Sequence, residues 1–174
     1  LIPSFVDVEP LTFCIDTNKI EEQITQKTVA ILAPNLLGNL CDWPKIREIA
    51  DKYNLVVIED SADTIGSSID NVNTGKYTDI SITSFYGSHI INCAGNGGAI
   101  TMNDETIFKK VKLLRSWGRS SSLFDENNSE SIENRFNINL DGIEYDSKFV
   151  FEMVGYNLEG SEIGAAFGLE QLKN

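Results

Sequence analysis

Over its first two thirds the chain alternates short, β-prone apolar runs with stretches in which apolar residues recur at helical spacing. FVDV at 5–8 and TVAILA at 28–33 read as strands, and Asp16 stands where it can cap a helix through KIEEQI. After the PNLLGNLCD loop, Ile46, Ile49, Ala50 and Tyr53 fall at i, i+3, i+4 and i+7, one face of a helix. LVVIED at 55–60 is apolar until it ends in two carboxylates, the pattern of a strand buried on both faces with its polar residues at the carboxyl end. ISITSF at 80–85 and GGAIT at 97–101 are further strand candidates. Asn103 then precedes a helix in which Ile107, Val111, Leu114 and Trp117 keep helical spacing. From Arg119 to Lys148 the pattern dissolves into a polar stretch that predicts a long loop. A closing helix, capped by Ser161, is expected to bury Ile163, Ala166 and Phe167 against a part of the protein beyond this sequence.

Alternating strands and helices predict an α/β fold with a mainly parallel sheet covered on both faces. Ligands of such sheets bind beyond the carboxyl ends of the strands, where Asp60 and the segment 84–89 would lie together.

Composition narrows the classes of function. The 174 residues suffice for one domain with a real core. A net charge of −12 argues against nucleic acid or an anionic membrane surface as partner, because both need clustered Lys and Arg. No apolar run is long enough to span a bilayer. The opening LIPSFVDVEP lacks a basic n-region and a continuous apolar h-region, so a cytoplasmic protein is expected. Leu1 is not an initiator methionine and EIGAAFGLEQLKN resembles an unfinished helix, which points to an excerpt of a longer protein. Cys14, Cys41 and Cys93 are widely spaced and odd in number, without a CxxC pair, so reduced thiols and no metal site are expected.

Two residues carry candidate chemistry. Asp60, ending a buried strand, either pairs with a protonated heterocyclic nitrogen or caps the backbone that follows. His89, the only histidine, is either a structural side chain or an acid/base group. Its place just past a strand and shortly before a run of glycines favours a ligand site. The AGNGG turn lacks the GxGxxG spacing and opens no helix, so it reads as a strand-to-strand turn, and Trp43 and Trp117 read as core.

Taken together, IEDSADTIGSS, SFYGSHIINCAGNGGAIT, LLRSWGR and GYNLEGSEIGAAFGLEQL resemble the DegT/StrS family of nucleotide-sugar aminotransferases, over nearly the whole chain and in consistent order. The resemblance implies a pyridoxal phosphate enzyme of fold type I, with a three-layer α/β/α major domain present only in part. Residues 1–140 would belong to the cofactor-binding large domain, and residues 141–174 to the linker and helix leading to a small domain. It further implies that Asp60 pairs with the pyridine nitrogen of the cofactor, Asp63 contacts the ring, and Ser84 hydrogen-bonds the phosphate. Asn157 would reach the cofactor of a partner subunit, so a homodimer is implied. Glu159 departs from the Arg or Lys usual after GYN, and an acid there repels a phosphate.

His89 stands where the family carries its Schiff-base lysine, and Lys76 lies too far upstream to match. The cofactor would then be held without a covalent bond, as in the dehydrase branch of the family. That branch removes the C-3 hydroxyl of a nucleotide-linked 4-keto-6-deoxyhexose, a step of dideoxysugar and lipopolysaccharide biosynthesis, using pyridoxamine phosphate. His89 would act first as base and then as acid. Dehydrases with an iron–sulfur cluster carry cysteines after ED and after WGR; here those places read SAD at 61–63 and SSS at 120–122. Serine does not replace a thiolate cluster ligand, so the resemblance favours the clusterless type, which takes its amino group from glutamate. DGIEYDSKFVFEMVGYN is nonetheless similar to cluster-bearing relatives, and the nucleotide, sugar configuration and any reductase partner stay open. A sugar aminotransferase using another lysine and a catalytically silent homologue are the alternative readings.

Overall fold

Three parallel strands bring their carboxyl ends to one edge of a sheet. They are β1 (Ala30–Pro34), β2 (Val56–Asp60) and β3 (Ile80–Ser84), with Ile31 opposite Val57 and Ile58 opposite Ile80. β4 (Gly98–Met102) joins β3 antiparallel, completing the order β1-β2-β3-β4. The computed structural model describes residues 1–124, 135, 136 and 138–173. It divides into one compact unit of Leu1–Asn103 with Ser161–Asn174, and a second of Asp104–Gly160.

In the first unit the helix α1 (Trp43–Tyr53) follows β1. Asp42 caps it by accepting the Lys45 N–H at 3.1 Å, Pro44 sits in its first turn, and Asn54 ends it in the left-handed conformation. Ile46, Ile49 and Ala50 are buried as the periodicity predicts, whereas Tyr53, the fourth residue of that expected face, is exposed at the end of the helix; with Trp43 the buried three pack with Ile31, Ala33, Val57, Ile20, Cys14 and Cys41. Strand alternation places Ile31, Ala33, Val57, Glu59 and Ser81 on this covered face. Leu32, Ile58, Asp60, Ile82 and Ser84 lie on the opposite one.

The expectation that β2 is buried on both faces is corrected here. The pairing of Val57 and Glu59 with the core leaves Val56 38% exposed, and on the same side Leu32 is 57% exposed. The FVDV strand is also corrected: only Val8 makes a single antiparallel bridge, to Ile15, and Phe5 projects into solvent. Asp16 does cap, accepting the Asn18 N–H at 3.0 Å at the start of a short helical turn.

The covered face holds a buried polar cluster. Asn35 Nδ2 donates to Glu59 Oε1 at 2.8 Å, while Asn35 Oδ1 accepts the Cys41 N–H and the Trp43 Nε1–H, both at 3.0 Å. Ser81 Oγ donates to Glu59 Oε2 at 2.5 Å. A buried carboxylate is tolerable because hydrogen bonds reach both oxygens.

In the second unit α2 (Glu105–Arg115) is capped by Asp104, which accepts the Ile107 N–H at 2.8 Å. The helix stops at Arg115, so Trp117 leaves the expected helical face and adopts a φ of 59°. The polar stretch 119–148 contains a hairpin, β5 (Ile138–Leu140) and β6 (Ile143–Tyr145), turning on Asp141 and Gly142 at φ 53° and 83°. Both positive angles are what a two-residue Asp-Gly turn supplies. The rest of the expected loop at 125–134 and 137 lies outside the described residues.

Back in the first unit, Ser161 caps α3 (Glu162–Gln171) by accepting the Gly164 N–H at 3.3 Å, as expected. The apolar face expected to pack beyond this sequence is exposed within it, with Ile163 at 83%, Phe167 at 48% and Ala166 also exposed, while Gly164 and Gly168 are buried. The small residues let the helix backbone approach a loop that a side chain would hold off.

Two outcomes follow. Asn35→Ala strands Glu59 Oε1 and the Trp43 Nε1–H in the core, and is expected to destabilise the fold by about 3 kcal/mol, seen as a lowered urea midpoint. Burial, reinforced by neighbouring Cys14, pushes the Cys41 thiol up to about 12. Native-state alkylation followed by mass spectrometry should therefore leave Cys41, and equally buried Cys14, unmodified until the protein is unfolded.

Candidate functional site

Period-two alternation at the end of β2 separates two adjacent carboxylates: Glu59 enters the core and Asp60 faces the other way. Asp60 Oδ1 accepts the Ala62 N–H at 3.0 Å, and its carbonyl accepts the Asn35 N–H at 2.9 Å. Capping of the strand exit thus occupies one carboxylate oxygen, and among the described residues no hydrogen bond reaches the other. Ser84, the last residue of β3, lies on the same sheet face, since Asp60 is opposite Ile82. Its Oγ accepts the Tyr86 N–H at 3.2 Å, fixing the start of the next loop.

That loop carries His89. The His89 N–H donates to the Tyr86 carbonyl at 3.0 Å, and the two rings meet edge to face with centroids 6.0 Å apart. At its base the Phe85 N–H donates to Gly97 at 2.9 Å and the Cys93 N–H to Phe85 at 3.0 Å, so AGNGG does serve as a turn between strands. The His89 side chain is 22% exposed, and its Nδ1 is buried without a hydrogen-bond partner among the described residues. Nε2 lies 3.9 Å from Asp63 Oδ1, outside hydrogen-bond range. Asp63 Oδ2 in turn accepts the Leu37 N–H at 3.0 Å, so one carboxylate spans from the loop after β1 to the histidine.

The structure therefore gathers Asp60, Asp63, Ser84 and His89 at the carboxyl ends of the parallel strands. Lys76 lies in a turn, Thr74–Lys76, before the amino end of β3, whereas His89 lies beyond its carboxyl end. Five extended residues between them span about 16 Å. Sequence reasoning passed over Leu37, Tyr86 and Asn35. The proximity of Tyr86 to His89 in the chain was a usable signal; the others act through backbone or through nonlocal contacts.

Asn157 belongs to the second unit, where it is exposed and bridges Ser116. The Tyr156 N–H donates to Leu114 at 2.7 Å, the Trp117 N–H to Tyr156 at 2.9 Å, and the Leu158 N–H to Arg115 at 3.0 Å. RSWGR and GYN are thus paired strips of backbone rather than independent motifs. Gly118, at φ 82°, makes this possible, because a Cβ there would overlap the Met153 carbonyl. Glu159 accepts from Ser116 Oγ and faces Arg115 Nε at 3.6 Å, so the unexpected acid is engaged within the chain. No described helix is long and apolar enough to cross a membrane.

Comparison with known proteins identifies relatives of the chain. The chain is 37% identical to the lipopolysaccharide biosynthesis protein RfbH of Salmonella typhimurium, over 99% of its own length and 40% of that protein. It is 36% identical to the 3-oxo-glucose-6-phosphate:glutamate aminotransferase of Bacillus subtilis, over 99% of the chain and 33% of the relative. Among solved structures, the E. coli GDP-4-keto-6-deoxy-D-mannose-3-dehydratase with bound hydrated PLP superposes with a TM-score of 0.80 at 30% identity. That match covers 97% of this chain and 41% of the dehydratase. The α/β fold with a mainly parallel sheet is thus shared with that enzyme, and the chain spans about two fifths of the length of the first relatives it matches. The model of the DegT/DnrJ/EryC1/StrS aminotransferase family matches residues 1–174 throughout, and the chain belongs to that family.

Proposed function

We propose that this chain carries the cofactor-binding part of a 3-dehydratase acting on a nucleotide-linked 4-keto-6-deoxyhexose in nucleotide-sugar biosynthesis. The observation that carries the reading is the placement of His89 beyond the carboxyl end of β3, where the resemblance puts the family's lysine, while Lys76 lies at the other end of that strand. An imidazole cannot form the covalent link that a lysine amine forms, so pyridoxal or pyridoxamine phosphate would be held by the protein's noncovalent contacts alone. The donor set suits such a group: a carboxylate with one unclaimed oxygen, a hydroxyl on the same sheet face, and an imidazole with an unpaired buried nitrogen.

When bound, the cofactor supplies an electron sink for carbanion character beside its methylene carbon. Asp60 would hold the proton on the ring nitrogen through its unclaimed oxygen. Ser84 Oγ would bind the phosphate, and Asp63 would lie along the ring while keeping its hold on Leu37. With Nδ1 buried, Nε2 is the nitrogen of His89 left to move a proton: it takes one from carbon and returns it to the departing C-3 oxygen. Asn157, exposed in the second unit, would serve the site of a partner subunit in a homodimer. Serines at 61 and 120–122 in place of thiolates support a clusterless enzyme regenerated by glutamate. The division into a large domain at 1–140 and a lead to a small domain at 141–174 is part of the same proposal.

A sugar aminotransferase is the second reading, favoured by the name of the Bacillus relative. The complete protein, supplied with pyridoxal phosphate, glutamate and a GDP- or CDP-linked 4-keto-6-deoxyhexose, separates the two by mass spectrometry of the sugar product. Loss of one oxygen is expected, with His89→Asn slower by about 10²- to 10⁴-fold. Exchange of the carbonyl for an amine would establish the aminotransferase instead.

A further inference from the structure

The helix α3 does more than close its unit. Its Gln171 Oε1 accepts the Asn92 N–H at 2.7 Å, across 79 residues of sequence. A Cβ on Gly168 would stand 2.6 Å from Cys93 Sγ, and one on Gly164 would stand 2.8 Å from the Cys93 carbonyl oxygen. These three contacts fall on the stretch Asn92–Cys93, at the end of the loop that begins with Tyr86 and carries His89. Gly164 and Gly168 are buried, while Ile163 and Phe167 are 83% and 48% exposed, so the glycines form the side of the helix that meets its own unit. Two glycines also weaken a helix of 10 residues. What the two glycines supply in return is close approach to the loop. Ile90, between His89 and the clamped residues, is 63% exposed.

We propose that α3 clamps the His89 loop, with Gly164, Gly168 and Gln171 as positioning residues for the imidazole; this rests on His89 being the acting base. The loop is held at its start by Ser84 and the Tyr86 turn, and at its end by α3. Fixing both ends leaves the imidazole little freedom, and displacements on the order of 1 Å are enough to impair a proton transfer.

The packing supplies its own size-swap test in the complete protein. Gly168→Ala pushes a methyl against a sulfur that Cys93→Ala removes, so the double variant should recover what the single variant loses. Gly164→Ala meets a backbone carbonyl, and Cys93→Ala should not rescue it. The readouts are dehydration turnover and the imidazole C–H NMR signals of His89, assigned by their disappearance in His89→Asn and followed through a pH titration. Gly168→Ala is expected to move those signals and lower turnover about 10- to 100-fold. The double variant should return the signals to their original positions and turnover to within about threefold of the starting protein. Gln171→Leu, which adds no clash, should move the signals as well, and Gln171→Glu, which keeps the acceptor, should not. Signals in Gly168→Ala and Gln171→Leu that superimpose on those of the starting protein would overturn the clamp, as would a double variant no better than the single. Undiminished dehydration by His89→Asn would instead sink the catalytic reading, while the signals of the other variants still decide the clamp.

Discussion

The amide of Asn35 is the point on which this site depends. One side chain holds the Glu59 carboxylate at the end of β2, the indole of Trp43 at the start of α1, and the backbone of Cys41 in the loop between. Because its own N–H donates to the Asp60 carbonyl, the exits of β1 and β2 are joined by backbone as well. The buried carboxylate is satisfied only when all of these elements are in place, which makes the local arrangement all-or-none. Asp60 inherits that rigidity from a neighbour whose side chain points the opposite way.

The sheet consequently has two faces with different work. One packs Ile31, Ala33 and Val57 against α1 and contains the Glu59 cluster. The other carries Asp60 and Ser84 at its carboxyl end, beside half-exposed apolar residues such as Leu32 and Ile100. Asp63 adds the link across strands, reaching Leu37 on one side and approaching His89 on the other.

Local periodicity made much of this legible before any coordinates. The helical face of Ile46, Ile49 and Ala50, the strands around Val57 and Ile82, and the caps Asp16 and Ser161 all depend on neighbours within a few positions. His89 and Asp60 could be picked out as candidates, but their chemistry became specific only through the resemblance to a family. What failed was of two kinds. The Asp141-Gly142 turn was a local signal hidden in a polar stretch, where Ile138, Leu140, Ile143 and Tyr145 alternate weakly. The side of α3 that meets its own unit was unreadable from its residues, since Gly164 and Gly168 carry no apolar signal and the Cys93 they approach lies about 70 residues earlier in the chain. Likewise, nothing in the neighbourhood of Asp63 announces Leu37, 26 residues away.

The chain leaves its first unit at Asn103 and returns only at Ser161. On the ribosome, Gln171 is therefore added 79 residues after Asn92. At about 5–20 residues per second, the nascent loop waits about 4–16 s for the helix that meets it. The strands and α1 can pack during that interval, whereas the histidine's surroundings are finished only after the whole second unit has been synthesised. In the order of biosynthesis, the loop that carries His89 is among the last parts of its unit to reach final form.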